Sequence, residues 1–189
     1  PLFRNHSADG TRLQELYQFD NIASAAEMIK IRYALIPYLY SEFLKAALND
    51  EMMFRPLAFD FPEDNTAKQA EDQLFLGNEL MIAPIYKQNA QGRYVYLPEE
   101  MMMISMKSVS DYTAAVLPAG HHYVEAPLDT LVFFIRKGKA IPFGAAADNT
   151  SQIDMSALRL LGYDGSTYEL YSDNGYSPEP EDSLKITTL

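Results

Sequence analysis

The sequence contains no cysteine and no tryptophan, and only three histidines, His6, His121 and His122. Without thiols there can be neither disulfides nor thiolate metal sites. A cysteine-free composition suits a reducing compartment and leans towards the cytoplasm, although secreted proteins without disulfides share it. The lack of Trp weighs against a stand-alone carbohydrate-binding module, since such surfaces stack sugars on large aromatic faces. Basic residues are scarce as well: 15 Lys and Arg against 26 Asp and Glu give a net charge of −11. That balance argues against nucleic acid, whose phosphates need cations, and against an anionic membrane surface. No apolar run is long enough to span a bilayer, and no signal-peptide pattern is visible. An uncharged substrate such as a sugar is compatible with this charge, as are many other ligands.

The 189 residues, 48% of them apolar, are enough for one sizeable domain or two small ones. The first ten, PLFRNHSADG, present Arg4, Asn5 and His6 with no strand or helix leading into them. This reads as the tail of something larger. Three regions follow. Residues 1–78 look helical with loops. Ser24-Ala25-Ala26-Glu27 has the form of a capping box, and the apolar helix after it should be buried on most of its circumference. Pro37 should kink that helix, and Asn49-Asp50 should end it. A strand is expected around Phe54 to Phe59, and a short helix within Ala67 to Phe75. Residues 79–148 read as short strands, LMIAPIY, RYVYLP, DTLVFFIRKG and KAIPFG, in an antiparallel sandwich. In the last region Leu158 to Tyr163 and Thr167 to Tyr171 flank Asp164-Gly165 as a hairpin. Leu184 to Thr188 would add a final strand.

Few residues carry chemistry. His6 is either an imidazole that contacts a ligand or a polar loop residue near a chain end. His121 and His122 point apart if they lie in a strand, so a turn leading into a strand is the simpler reading. Asp20, Asp60, Glu63, Asp64, Glu71 and Asp72 could supply an acid/base pair, but their spacing selects no two of them. Asp173-Asn174-Gly175 lacks the downstream ligands of a calcium loop. Met101-Met102-Met103 reads as strand packing. No phosphate-binding or nucleophile-elbow motif is present.

The order of several segments resembles the C-terminal third of glycoside hydrolase family 31, the α-glucosidase and α-xylosidase family. PLFRNHS is similar to the family's P-F-x-R-N-H segment, and IRYALIPYLYSEF to its long helix after the active-site loops. FRPLAFDFPED, EDQLFLGNELMIAPIY, GRYVYLP and APLDTLVFFIRKGKAIP follow in the family's order. The resemblance implies an α/β plus all-β chain: the closing portion of a catalytic (β/α)8 barrel over residues 1–78, with FRPLAF as its eighth strand, then an antiparallel β-sandwich over 79–189. It implies a retaining mechanism with two aspartates roughly 5–5.5 Å apart, both upstream of the R-N-H segment and therefore absent here. No catalytic residue, metal ligand or cofactor is then expected in this chain, which would be inactive alone. His6 would contact hydroxyls of the substrate sugar, with Arg4 and Asn5 holding the loop. The implied partners are an α-linked oligosaccharide or glucoside and the upstream barrel segment, with neither nucleic acid nor membrane. α-Glucoside is the default sugar within the family. The competing reading is a non-catalytic β-sandwich binding or structural module, which predicts a self-contained core and an open, aromatic groove. An enzyme fragment predicts exposed apolar side chains on residues 1–78.

Overall fold

The structure is a computed structural model that describes residues 8–12 and 15–189. One long helix, α1 (Ile22–Asn49), precedes a set of short strands. The helix starts two residues ahead of the expected capping box. Asn21 stands at its N-cap without a side-chain cap bond, and Ser24 and Glu27 lie inside its first turns. It ends where expected, because Asp50 turns left-handed at φ 55° and returns its N–H to Ala46 O. Pro37 lies within the helix and has no N–H to give Tyr33. The neighbouring carbonyl of Ala34 accepts a bond from outside, from Gly144 N–H at 2.9 Å.

The strands are β1 (Phe54–Pro56), β2 (Leu74–Leu76), β3 (Leu80–Ile82), β4 (Gly92–Leu97), β5 (Met101–Met106), β6 (Tyr112–Leu117), β7 (Gly120–Glu125), β8 (Leu131–Arg136), β9 (Ala140–Phe143), β10 (Arg159–Gly162), β11 (Glu169–Ser172) and β12 (Lys185–Thr188). Two short helices, α2 (Leu57–Asp60) and α3 (Asn65–Gln69), lie between β1 and β2. Every pairing is antiparallel. Six strands form one sheet in the order β1-β2-β3-β8-β5-β6, and the pairs β4-β7, β9-β10 and β11-β12 stand apart from it.

Two expectations are corrected. The strand around Phe54 to Phe59 is only three residues long and becomes helix at Leu57. It pairs antiparallel with β2 and forms an edge of the six-stranded sheet. β1 and β2 precede residue 78 and β3 follows it, so the six-stranded sheet spans both sides of that position. The hairpin expected across Asp164-Gly165 does not form. β10 pairs with β9, and β11 pairs with β12.

The period of two along each strand sorts the core into two layers. Phe133 and Ile135 of β8, with Ile104 and Met106 of β5, face α1, where they join Ile31, Ala34, Leu35 and Tyr38. Phe134, between Phe133 and Ile135, and Met101 at the start of β5 face the other way, towards Val95 and Leu97 of β4 and Val124 of β7. The helix is thus covered on one side only. Tyr40 and Phe43 are exposed, as are Phe19, Ile22, Met52, Phe54 and Phe59.

Candidate functional site

The sequence placed its site on His6, Arg4 and Asn5, and all three lie outside the described residues. Within the described residues three polar assemblies stand out, and each uses carboxylates that the sequence had nominated or passed over.

The first joins the helix to the strands. Tyr168 Oη donates to Glu42 Oε1 at 2.6 Å, Asn78 N–H donates to Glu42 Oε2 at 3.2 Å, and Lys45 Nζ lies 2.8 Å from Glu42 Oε1. Tyr38 Oη donates to Leu76 O at 2.6 Å and lies 3.3 Å from Glu79 Oε2. Burial, reinforced by the charge of Glu42, raises the Glu79 carboxyl above its ordinary value. Two neighbouring carboxylates, one of them with a raised pKa, have the electrostatics of an acid/base pair. Here both are buried between the helix and the strands, and the apolar cavity of about 120 Å³ lined by Leu35, Tyr38, Leu76 and Phe133 among others is walled by neither of them. A sugar cannot reach them, so their work is to dock α1.

The second assembly fixes β1 and α2 to the sheet. Asp60 receives Arg55 Nε at 2.9 Å and Arg136 Nη1 at 2.5 Å, and Arg136 Nε reaches Glu99 Oε1 at 2.6 Å. The Arg136 guanidinium lies 4.6 Å from the Phe75 ring centre. Burial pushes the Asp60 carboxyl up, but the two guanidinium groups outweigh it and hold the group below its ordinary value. Asp64 caps α3 by accepting from Thr66 N–H and Ala67 N–H, and it also accepts from Tyr96 Oη. Neither carboxylate is free for catalysis.

The third assembly is an open cleft of about 340 Å³, with Asp72, Tyr86, Lys87, Gly92, Arg93, Tyr94 and Tyr123 in its walls. Tyr94 and Tyr123 face each other across β4 and β7, with ring centres 5.3 Å apart at 72°. The three tyrosines are 71%, 56% and 65% exposed at positions 94, 123 and 86. Sequence reasoning missed this cluster. Its signal was the alternation in RYVYL, which turns Tyr94 and Tyr96 away from the core as Val95 and Leu97 enter it.

The remaining nominees are structural. His121 and His122 lie on opposite faces of β7, with the His121 ring against Tyr96 and the His122 ring 2.8 Å from Pro118 O. Asp173 Oδ1 closes its own turn by accepting from Gly175 N–H, and it receives Tyr40 Oη. Asp20 is exposed in a turn. Among the described residues no three His, Asp or Glu side chains are grouped as metal ligands, and no helix is long and apolar enough to cross a membrane.

Comparison with known proteins supplies the context for these assemblies. The family description "Glycosyl hydrolases family 31 TIM-barrel domain" matches residues 1–42, and "Glycosyl hydrolase family 31 C-terminal domain" matches residues 50–141. Alpha-glucosidase 2 of Bacillus thermoamyloliquefaciens is 32% identical over 98% of this chain and 24% of its own length. Lysosomal alpha-glucosidase of Mus musculus is 31% identical over 94% of this chain and 21% of its own. Among solved structures, a family 31 alpha-xylosidase from Xanthomonas citri superposes with a TM-score of 0.74 at 25% identity, over 97% of this chain and 19% of that one. A Flavobacterium johnsoniae family 31 dextranase complexed with glucose gives a TM-score of 0.72 at 25% identity, over 90% and 21%. The chain spans about a fifth to a quarter of the length of the curated relatives it matches. Matched by two successive domains of one family and by full-length relatives along nearly all its residues, the chain belongs to glycoside hydrolase family 31.

Proposed function

We propose that this chain is the C-terminal portion of a retaining α-glycoside hydrolase that releases glucose from α-glucosides. The observation that carries the reading is the similarity to alpha-glucosidases over nearly the whole chain, together with the family's barrel description matching from residue 1. In such an enzyme one aspartate attacks the anomeric carbon and a second protonates the leaving oxygen, then activates water against the glycosyl intermediate. Both lie upstream of Pro1 in the family pattern, so the chain alone is inactive. His6 binds hydroxyls of the sugar at the cleaved bond, and these hydrogen bonds strengthen as the ring distorts towards the oxocarbenium-like transition state. Arg4 and Asn5 hold its loop.

In place of the division at residue 78, the segment through α1 closes the barrel and the strand unit begins at β1. The ranges of the two family descriptions and the membership of β1 in the six-stranded sheet support this. The upstream barrel segment is the natural cover for Phe43, Met52 and Phe54. Their exposure weighs against a self-contained binding module.

The test joins the chain to its upstream segment and follows hydrolysis of a chromogenic α-glucoside by wild type and by His6→Ala. A loss above tenfold in kcat/KM, about 1.4 kcal/mol of transition-state stabilisation, supports the role of His6. An active parent indifferent to the change removes that role. A parent inert on every α-glycoside overturns the reading.

A further inference from the structure

The exposed aromatic side chains of this protein fall into two kinds. Those near α1 and β1 are mixed with phenylalanine, isoleucine and methionine: Phe19, Ile22, Phe43, Met52, Phe54 and Phe59. Those around the β4-β7 cleft are three tyrosines, Tyr86, Tyr94 and Tyr123, with Ile85 beside them. A surface that packs against protein is served by the first kind. Tyrosine offers an apolar face with a polar tip, which suits a ligand that is both apolar on its ring faces and rich in hydroxyls.

The cleft is built to hold its rings in place. Tyr94 and Tyr123 are direct cross-strand partners in an edge-to-face pair. Gly92, beside them, has no side chain, and a Cβ there would come within 3.1 Å of the Tyr123 ring and 2.3 Å of Val124 O. The missing atom lets the Tyr123 ring lie across the strand. Arg93 anchors the opposite wall: Nη1 donates to Pro84 O at 2.9 Å and to Asp72 O at 3.2 Å, and Nε donates to Tyr94 O at 3.1 Å. Arg93 Nη2 and Tyr86 Oη both fall on Asp72 Oδ2, at 2.5 and 3.0 Å. That leaves Asp72 Oδ1 as an acceptor, and Lys87 as a donor, at the same opening. Rings, a carboxylate oxygen and an ammonium in a cleft of about 340 Å³ make the donor and acceptor set that a sugar needs.

We infer that the Tyr86–Tyr94–Tyr123 cleft is a carbohydrate site that takes an α-linked glucan chain. Tyr94 and Tyr123 stack glucosyl rings, and Asp72 and Lys87 bond their hydroxyls. The choice of an α-glucan rests on the proposed function; the cleft itself does not. Its role is to keep a polymeric substrate on the enzyme between cleavages, which raises the local concentration of chain ends.

The test uses the full-length polypeptide that carries this chain, with its catalytic site saturated by glucose. It is run through native gels containing amylopectin or dextran. Wild type should be retarded relative to a polymer-free gel. Tyr94→Ala with Tyr123→Ala should lose at least tenfold in affinity, whereas Tyr176→Ala, at an exposed tyrosine remote in sequence, should not. The double variant should also raise KM for the polymer and leave kcat/KM on a chromogenic α-glucoside unchanged, with circular dichroism confirming the fold. Equal retardation of wild type and double variant overturns the site, as does the absence of retardation by either polymer. Protection of Tyr94 and Tyr123 from nitration in the full-length polypeptide without polymer also overturns it, because the cleft would then be covered by protein. An enzyme active on the chromogenic glucoside but not retarded loses only this site. A retarded polypeptide inert on every α-glycoside keeps the site and loses the proposed activity.

Discussion

Tyr168 and Glu42, 126 positions apart in sequence, meet in a buried hydrogen bond of 2.6 Å between a phenol and a carboxylate oxygen. The same carboxylate holds Lys45 and the N–H of Asn78. One helix side chain thereby gathers three segments, and Lys45 also lies 3.9 Å over the Tyr168 ring. Tyr168→Phe keeps the ring and removes only the hydroxyl. It should cost about 1.5–3 kcal/mol, the range for a hydrogen bond to a charged group. Tyr40→Phe, which removes an exposed bond to Asp173, should cost less than about 0.5 kcal/mol. Urea unfolding of the two variants decides between them, and equal costs would refute the assignment of Glu42 as the joint.

Gly77 has a φ of +67°, and a Cβ there would meet Glu42 Oε2 at 2.3 Å and Tyr38 Oη at 2.5 Å. Gly165 has a φ of +76° and open space around it. Both incur the left-handed penalty when replaced by alanine, roughly 1–2 kcal/mol. Gly77→Ala must also push apart the carboxylate and phenol that dock the helix, so it should be clearly the worse of the two. Thermal melts of both variants give the comparison, and similar losses would show that the joint yields easily.

Asp60 gives the protein a defined acid response. Although burial opposes it, Arg55 and Arg136 depress its folded pKa. A depressed carboxyl contributes stability that is complete above its ordinary value, about 4, and is lost as pH falls through the lower folded value. Asp60→Asn removes this contribution. Urea midpoints of wild type and variant, measured from pH 6 down to pH 2, should differ most at the upper end and converge at the lower. Parallel profiles would mean that Asp60 is not a source of the acid sensitivity.

The apolar side chains exposed near α1 and β1 predict that the isolated chain associates with itself and binds hydrophobic dyes. Phe43→Ser combined with Phe54→Ser should reduce both, since each side chain is about half exposed and neither belongs to a core cluster. Light scattering after size-exclusion chromatography reads the first effect and dye fluorescence the second. A monodisperse chain that binds no dye would remove the case for an upstream cover.

What the sequence reveals is mostly local. The stop of α1 was legible, because Asp50 can turn left-handed and end the helix. Its start was not, since Asn21 makes no cap bond and the better-looking motif at Ser24 lies inside the first turns. RYVYLP announced β4 by alternation. Asp164-Gly165 announced a turn, but not which strands pair. Turn chemistry sets a reversal, while β9, buried along its whole length, is held by apolar contacts with α1 far back in the chain. Gly162 marks the choice: with φ +150° and no Cβ, it admits Ala140 of β9 at a distance no side chain would permit. The tyrosine cleft was hidden for the same reason, since Tyr94 says nothing about Tyr123 until the ribbon is paired. His6, Arg4 and Asn5 were named from family resemblance and lie outside the described residues.

The dependence of α1 on late strands also sets a schedule for synthesis. Residues 42 and 168 are separated by 126 positions, and at about 5–20 residues per second a ribosome needs roughly 6–25 s to cover them. Throughout that interval α1 lacks Tyr168 and Leu170, two of the side chains that complete its core, and the nascent helix exposes apolar surface of the kind that chaperones shield.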